Sequence, residues 1–274
     1  MKQSLLPVCI ITLLIASCNF LDSDTPTPVL PTGTPNIMPT STFTDGNVLT
    51  LNNVSLVIPE EVANDAELEM VSAKTDGASW ELAPEHLKIT LTGYALQDKF
   101  HKPELFVYPA DEYAQVNSIA AEQIDRLKMI LAGSPALRET LPRVPFFNAE
   151  MQIAANIQTV TFQSGSGVRH LTQYAQYLAP ISNHGLFYQF SGLTTDEQYY
   201  IVAVLPITAP ILAEDENPDA PVPTEGVPIP TDIGPNDTYY ASITEKLVSL
   251  TPESFTPSLT TLDTLIQSIL VTRP

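Results

Sequence analysis

LFYQFSGLTTDEQYYIVAVLPI, residues 186–207, is the stretch on which the fold turns. Two runs rich in aromatic and β-branched side chains, LFYQFSGL and QYYIVAVLPI, flank the polar TTDE at 194–197. Such side chains suit a pleated, buried surface, and Thr195 to Glu197 supply a polar reversal, so the stretch predicts two adjacent antiparallel strands. Tyr188 and Phe190 then read as sheet packing, not as a ligand platform.

Upstream, Ile157 to Phe162 is a further strand-like run. QSGSG at 163–167 reads as a flexible turn punctuated by Gly165 and Gly167. VRHLTQYAQYLAPI at 168–181 favours strand by composition, although Leu171, Tyr174 and Leu178 also fit helical spacing. Earlier still, NVLTLNNVSLVIPEEV from Asn47 divides into two short alternating pieces that stop at Pro59. HLKITLTGYAL and KPELFVYP alternate in the same way. Between the last of these and residue 133 lies DEYAQVNSIAAEQIDRLKMILAG, which predicts a helix. Its stripe is Ile119, Ile124, Leu127 and Leu131, its cap Ser118, and its stop Gly133 with Pro135.

Downstream, AEDENPDAPVPTEGVPIPTDIGPN at 213–236 is too rich in proline and acid for a packed element and reads as a solvated loop insertion. Asp237 then caps a helix carrying Tyr240, Ile243, Leu247 and Leu250. Ser258 caps a second one with an apolar face of Leu259, Leu262, Leu265, Ile266 and Ile269. No repeat of about 20 to 50 residues recurs. The expected class is α+β: a mostly antiparallel sheet with helices packed on one or both faces, in a single domain over residues 47–274.

The chain begins MKQSLLPVCIITLLIASCNFLDSDTPTPVLPTGTP. Lys2 precedes an apolar run from Leu5 to Ala16 that is short for a bilayer span, and Ile15, Ala16, Ser17 and Cys18 resemble the lipobox of bacterial lipoproteins. That resemblance implies removal of residues 1–17 as a signal peptide and acylation of Cys18 by several chains, enough for stable anchoring. Residues 18–46, dense in Pro, Thr and Ser, would form an extended stalk. The expected location is the extracytoplasmic face of a membrane in the cell envelope.

Cys9 would leave with the leader, so thiol catalysis, disulfides and cysteine-held metal are excluded from the mature chain. With 12 Lys and Arg against 31 Asp and Glu, the formal charge is −19, which argues against nucleic acid and against electrostatic adsorption to anionic lipid. The expected partners are the membrane, through the anchor, and an envelope protein or a small molecule.

Two further resemblances concern fold alone. The segment ending in VIPE and the terminal LDTLIQSILV resemble the two ends of Mog/PsbP-like sandwiches. GVRHLTQYAQ, LFYQFSGLT and YYIVAVLP look like an uncharacterised group of bacterial lipoproteins. Neither implies catalytic residues.

Chemistry is sparsely signalled. His86, His101, His170 and His184 form no HExxH or similar ligand pattern. The glycines of QSGSG match neither GxxxxGK[ST] nor GxGxxG, and no cofactor is implied. Ser166 has Ser164 and Val168 where a nucleophile elbow has glycines, so a hydrolase would need a non-motif arrangement such as Ser166, His170 and Asp196. Glu60-Glu61, Asp111-Glu112 and Asp196-Glu197 are adjacent carboxylates that read as loop or helix-start charges. The acidic run from Ala213 to Asp219 lacks the spacing of a calcium loop. Arg169, His170, Gln173 and Tyr174 are the most concentrated polar-aromatic set and the candidate binding residues, with Arg169 and Gln173 on one strand face and His170 and Tyr174 on the other. The expected function is an extracytoplasmic lipid-anchored accessory or binding protein, not an enzyme; a cell-envelope hydrolase is the alternative.

Overall fold

A run such as YIVAVL, apolar at every position, is what a strand carries when both faces of its sheet are covered. In the computed structural model, which describes residues 46–234 and 238–273, this is the arrangement found. The leader, Cys18, the stalk up to residue 45 and the Asp237 cap lie outside the described residues. All described residues belong to one compact unit, Thr42–Pro274.

The chain opens with β1 (Asn47–Leu51), β2 (Val54–Ile58) and β3 (Asp65–Val71), then β4 (His86–Thr92) and β5 (Glu104–Pro109). Helices α1 (Ala110–Val116) and α2 (Ser118–Leu131) follow, then β6 (Glu150–Met151), β7 (Ala155–Phe162), β8 (Gly165–Thr172) and β9 (Tyr174–Ala175). The hairpin is β10 (Phe187–Thr194) with β11 (Tyr199–Pro206), and α3 (Tyr239–Ser249), α4 (Leu259–Gln267) and β12 (Leu270–Val271) close the chain. Seven strands form one antiparallel sheet in the order β3-β4-β5-β11-β10-β8-β7. A small sheet, β1-β2-β12, stands apart, and β6 pairs with β9. The expected α+β class, with a mostly antiparallel sheet, is the class observed.

Alternation sorts the side chains into two cores. Ile201, Ala203 and Leu205 of β11 pack with α3, α4 and the small sheet, whereas Tyr200, Val202 and Val204 pack with α1 and α2. Helices therefore cover both faces of the large sheet, and each buried Ile, Val or Phe contributes about 1.5–3 kcal/mol. The second terminal helix is as expected: Ser258 Oγ accepts from Thr261 N, and Leu259, Leu262, Leu265, Ile266 and Ile269 are all buried.

Three expectations need correction. The cap of α2 is Asn117, not Ser118: its Oδ1 accepts from the amides of Ile119 and Ala120, and its Nδ2 donates to Ser79 O and Leu82 O. The face that packs on the sheet runs through Ala120, Ile124, Leu127 and Ile130, not Ile119 and Leu131, leaving Ile119 exposed and Leu131 half-buried. The glycines of QSGSG are strand residues; only Gln163 and Ser164 turn. A Cβ on Gly167 would lie 2.3 Å from Ser191 O and 2.4 Å from Phe190 Cζ, so the missing side chain is the seat of an aromatic ring. The third concerns 213–236, which is not merely solvated: Val227, Ile229 and Ile233 pack on the core, and Lys246 Nζ donates to Glu225 O and Gly226 O.

Candidate functional site

β8 carries Arg169 and His170 of the candidate binding residues, and strand geometry separates them. Arg169 faces the α4 side, where Nη1 donates to Asn156 O, Nη2 to Gln158 Oε1 at 2.6 Å, and Nε lies 3.3 Å from Asp263 Oδ1. His170 points to the α2 side, opposite Gln189 across the strand pair. Gln173 lies just past the strand and serves the backbone, donating to Pro180 O and accepting from Ser182 N. Tyr174 starts β9 and joins an aromatic cluster, its ring 4.8 Å from Phe147 and 6.0 Å from Phe187. The structure thus brings His170 and Tyr174 to one side of the sheet and leaves Arg169 on the other.

Beside Tyr174 the surface opens. The pairing of β6 with β9 sets residues 147–152 against 175–178, and between them lies an open groove of about 720 Å³, within the usual range of ligand sites. Its lining includes Phe147, Asn148, Glu150, Gln152, Gln176 and Tyr177. Tyr177 is 66% exposed, an aromatic face offered to solvent. Glu150, the charged member of the lining, is met by Arg143 Nη1 at 3.4 Å.

Gln152 is the polar anchor of the floor. It is 6% exposed; its Nε2 donates to Glu150 O at 3.1 Å and to Ala175 O at 3.5 Å, which fixes the amide orientation and leaves Oε1 buried without a partner. Behind it the same side of the sheet holds a buried polar cluster in which Gln189 interacts with both the Tyr174 hydroxyl and the His170 ring, Arg143 acts on Tyr174, and Ser191 interacts with the Tyr200 hydroxyl. Burial pushes the Tyr174 hydroxyl pKa up and lowers His170 to about 3, so both are neutral near pH 7.

A strap covers this cluster. Residues 132–149 contain neither helix nor strand and are held by Leu141 and Val144, both fully buried, by Gln123 Oε1 accepting from Arg143 N, and by Gln189 Nε2 donating to Val144 O. His101 completes the surroundings, its ring 4.7 Å from Phe147 and 4.5 Å from Phe187. Burial, with His184 nearby, lowers its pKa to about 4. A second hollow of about 640 Å³, at the opposite end of the strands, is lined by Pro109, Glu112, Gln198, Tyr199 and Arg273, but none of these carries a buried unpartnered polar atom.

The hydrolase geometry is not assembled. Ser166 and His170 share a strand face four residues apart, about 13 Å along the chain, and Ser166 Oγ reaches only Thr161 Oγ1 at 3.5 Å. Asp196 is occupied by the Thr194 hydroxyl and by Arg273, which hold its carboxyl below the usual range. Glu197 pairs with Lys128, and Asp111 and Glu112 lie in the first turn of α1. The acids of the 213–219 run are exposed except Glu216, which is half-buried, accepts from Ser182 Oγ at 2.9 Å and lies 3.0 Å from His184 Nδ1, while Glu214 meets Asn183 at 3.4 Å. Among the described residues no three His, Cys, Asp or Glu side chains gather as a metal-binding group, and no helix is long and apolar enough to cross a membrane.

Sequence reasoning missed Gln152, Phe147 and Tyr177 because the groove's walls are 23 or more residues apart and meet through strands of two residues each. The sequence signal that does exist is local, the aromatic pair of VPFFNAEMQ following two prolines. Comparison with protein-family models, curated proteins and solved structures gives no match to this chain.

Proposed function

We propose that this chain is an extracytoplasmic, lipid-anchored binding or accessory protein that takes its ligand in the groove between residues 147–152 and 175–178. Attachment is through Cys18, and the proline-rich residues after it, at about 2–3 Å each when extended, give the domain a reach of several tens of ångströms from the membrane. The single observation that carries the binding reading is the combination in one groove of an exposed aromatic, Tyr177, with a buried amide oxygen, Gln152 Oε1, that has no partner. A few fixed polar groups are what orient a ligand in such a site. The separation of Ser166, His170 and Asp196 supports binding over hydrolysis.

The test is gentle purification of the full chain from membranes, followed by mass spectrometry of the small molecules and proteins that accompany it. A species enriched with the native chain and lost from Tyr177→Ala is the expected result. An absence of any enriched species, together with turnover of an envelope substrate by the purified chain, would overturn the proposal.

A further inference from the structure

We infer that the outer edge of β3 is a docking site for an extended basic segment of another protein, added as a further strand in which Lys or Arg side chains alternate with apolar ones. β3 is at the far side of the sheet from β8, beside whose end the groove opens, so docking here is separate from the groove.

The pairing register fixes which backbone groups are open. Leu91 N donates to Pro103 O, in line with the β4–β5 register, so the amides and carbonyls of Leu87, Ile89 and Leu91 face β5 and those of Lys88, Thr90 and Thr92 face β3. Opposite these stand Glu69, Glu67 and Asp65. The backbone groups of Ala66, Leu68 and Met70 therefore point out of the sheet, whose strand order ends at β3. Asp65 Oδ1 covers one of them, accepting from Ala66 N at 2.8 Å. Leu68 and Met70 each keep an N–H and a C=O for a further strand, and among the described residues no backbone group bonds to them from outside the sheet. Such an edge is a template for pairing.

The side chains select the partner. Asp65, Glu67 and Glu69 are exposed on one face; Lys88 Nζ meets Glu69 Oε2 at 2.6 Å, and among the described residues no cation pairs with Asp65 or Glu67. On the other face Ala66 and Leu68 are half-buried against the core and Met70 is 47% exposed. A strand laid along this edge thus has acid beside every second side chain and apolar surface beside the others. A second copy of β3 in antiparallel pairing sets acid against acid, which is destabilising. The charges that refuse a copy attract Lys and Arg, and the formal charge of −19 steers a cationic segment toward the chain. In strand addition the backbone bonds give affinity and the alternate side chains give specificity, and both halves are present at β3.

The experiment measures fluorescence anisotropy of labelled, end-blocked heptapeptides, the length of β3, on the detergent-solubilised full chain. The peptides are KVKVKVK, its non-alternating isomer KKVVVKK, and EVEVEVE; the proteins are the native chain, Met70→Pro and Glu67→Lys. Met70→Pro removes an N–H that the sheet does not use, and Glu67 is exposed, so both variants should unfold near the native midpoint. KVKVKVK is expected to bind the native chain about tenfold tighter than either other peptide, and to lose about tenfold in each variant. Equal binding of KKVVVKK, or affinity unchanged in Met70→Pro, reduces the contact to ion pairing and overturns the inference. Unchanged affinity in Glu67→Lys, equal binding of EVEVEVE, or no binding of KVKVKVK overturns it as well. Amide hydrogen exchange of the native chain needs no variant: KVKVKVK should slow the Leu68 and Met70 amides about tenfold, and exchange unaltered at saturating peptide overturns the inference whatever the variants do.

Discussion

The Tyr188 hydroxyl, at the centre of the large sheet, donates a 2.8 Å hydrogen bond to Asp263 Oδ1 of α4. The same carboxylate faces Arg169, whose Nη2 donates to Oδ2 at 3.4 Å, so one acid holds a cation and a phenol from the adjacent strands β8 and β10. With side chains only 5% and 15% exposed, Arg169 and Asp263 form a buried pair, and burial together with the carboxylate raises the Tyr188 pKa far above its usual value.

Removing one partner of such a pair strands the other. Asp263→Ala is expected to lower unfolding free energy by about 3–5 kcal/mol, and Arg169→Met with Asp263→Leu together to cost less than Asp263→Ala alone. Urea denaturation of the three proteins checks this. A loss below about 1 kcal/mol for Asp263→Ala would show that the pair does not hold α4 to the sheet.

Gly167 stands opposite Gly192 in the β8–β10 pairing, and the Phe190 ring occupies the space a side chain would need at either position. Gly167→Ala should therefore destabilise by about 1–3 kcal/mol or more through overpacking, despite being an ordinary strand substitution by propensity. Thermal unfolding measures it, and a neutral result would mean that the ring can move aside at no cost.

His101 and His170 favour the neutral form when folded, with pKa values lowered from 6.5 to about 4 and about 3, and burial shifts His86 in the same direction. Between these values and 6.5 the unfolded chain binds protons that the folded chain refuses, so stability is greatest above pH 6.5 and falls as pH drops toward 3. The slope approaches about 1.4 kcal/mol per pH unit for each histidine within its window. His170→Leu should flatten the profile between pH 6 and pH 3, measured as denaturation midpoint against pH; a profile as steep as that of the native chain would exclude His170 as a source.

Cys18→Ser is expected to abolish incorporation of labelled fatty acid and to move the chain from the membrane to the soluble fraction. Acylation that persists in the variant would rule out Cys18 as the attachment point. Metabolic labelling followed by fractionation distinguishes the two outcomes.

By itself the sequence determined what near neighbours decide. Alternation in FYQFSGLT and YYIVAVLP specified a hairpin, and helical spacing from Leu259 to Ile266 specified α4, because each pattern needs only a period and a buried side to act on. It did not reveal β3, whose DAELEMV carries four charged or exposed positions, since an outermost strand with few buried side chains leaves no apolar period to read. Nor did it show that Asn117 rather than Ser118 caps α2, because the choice depends on Ser79 O and Leu82 O, almost 40 residues away, needing the Asn117 amide. The candidate site belongs wholly to this second kind. Gln152 and Tyr177 are ordinary residues in the chain; only the meeting of β6 and β9 sets them in one groove, and burial is what leaves the Gln152 amide oxygen in need of a donor.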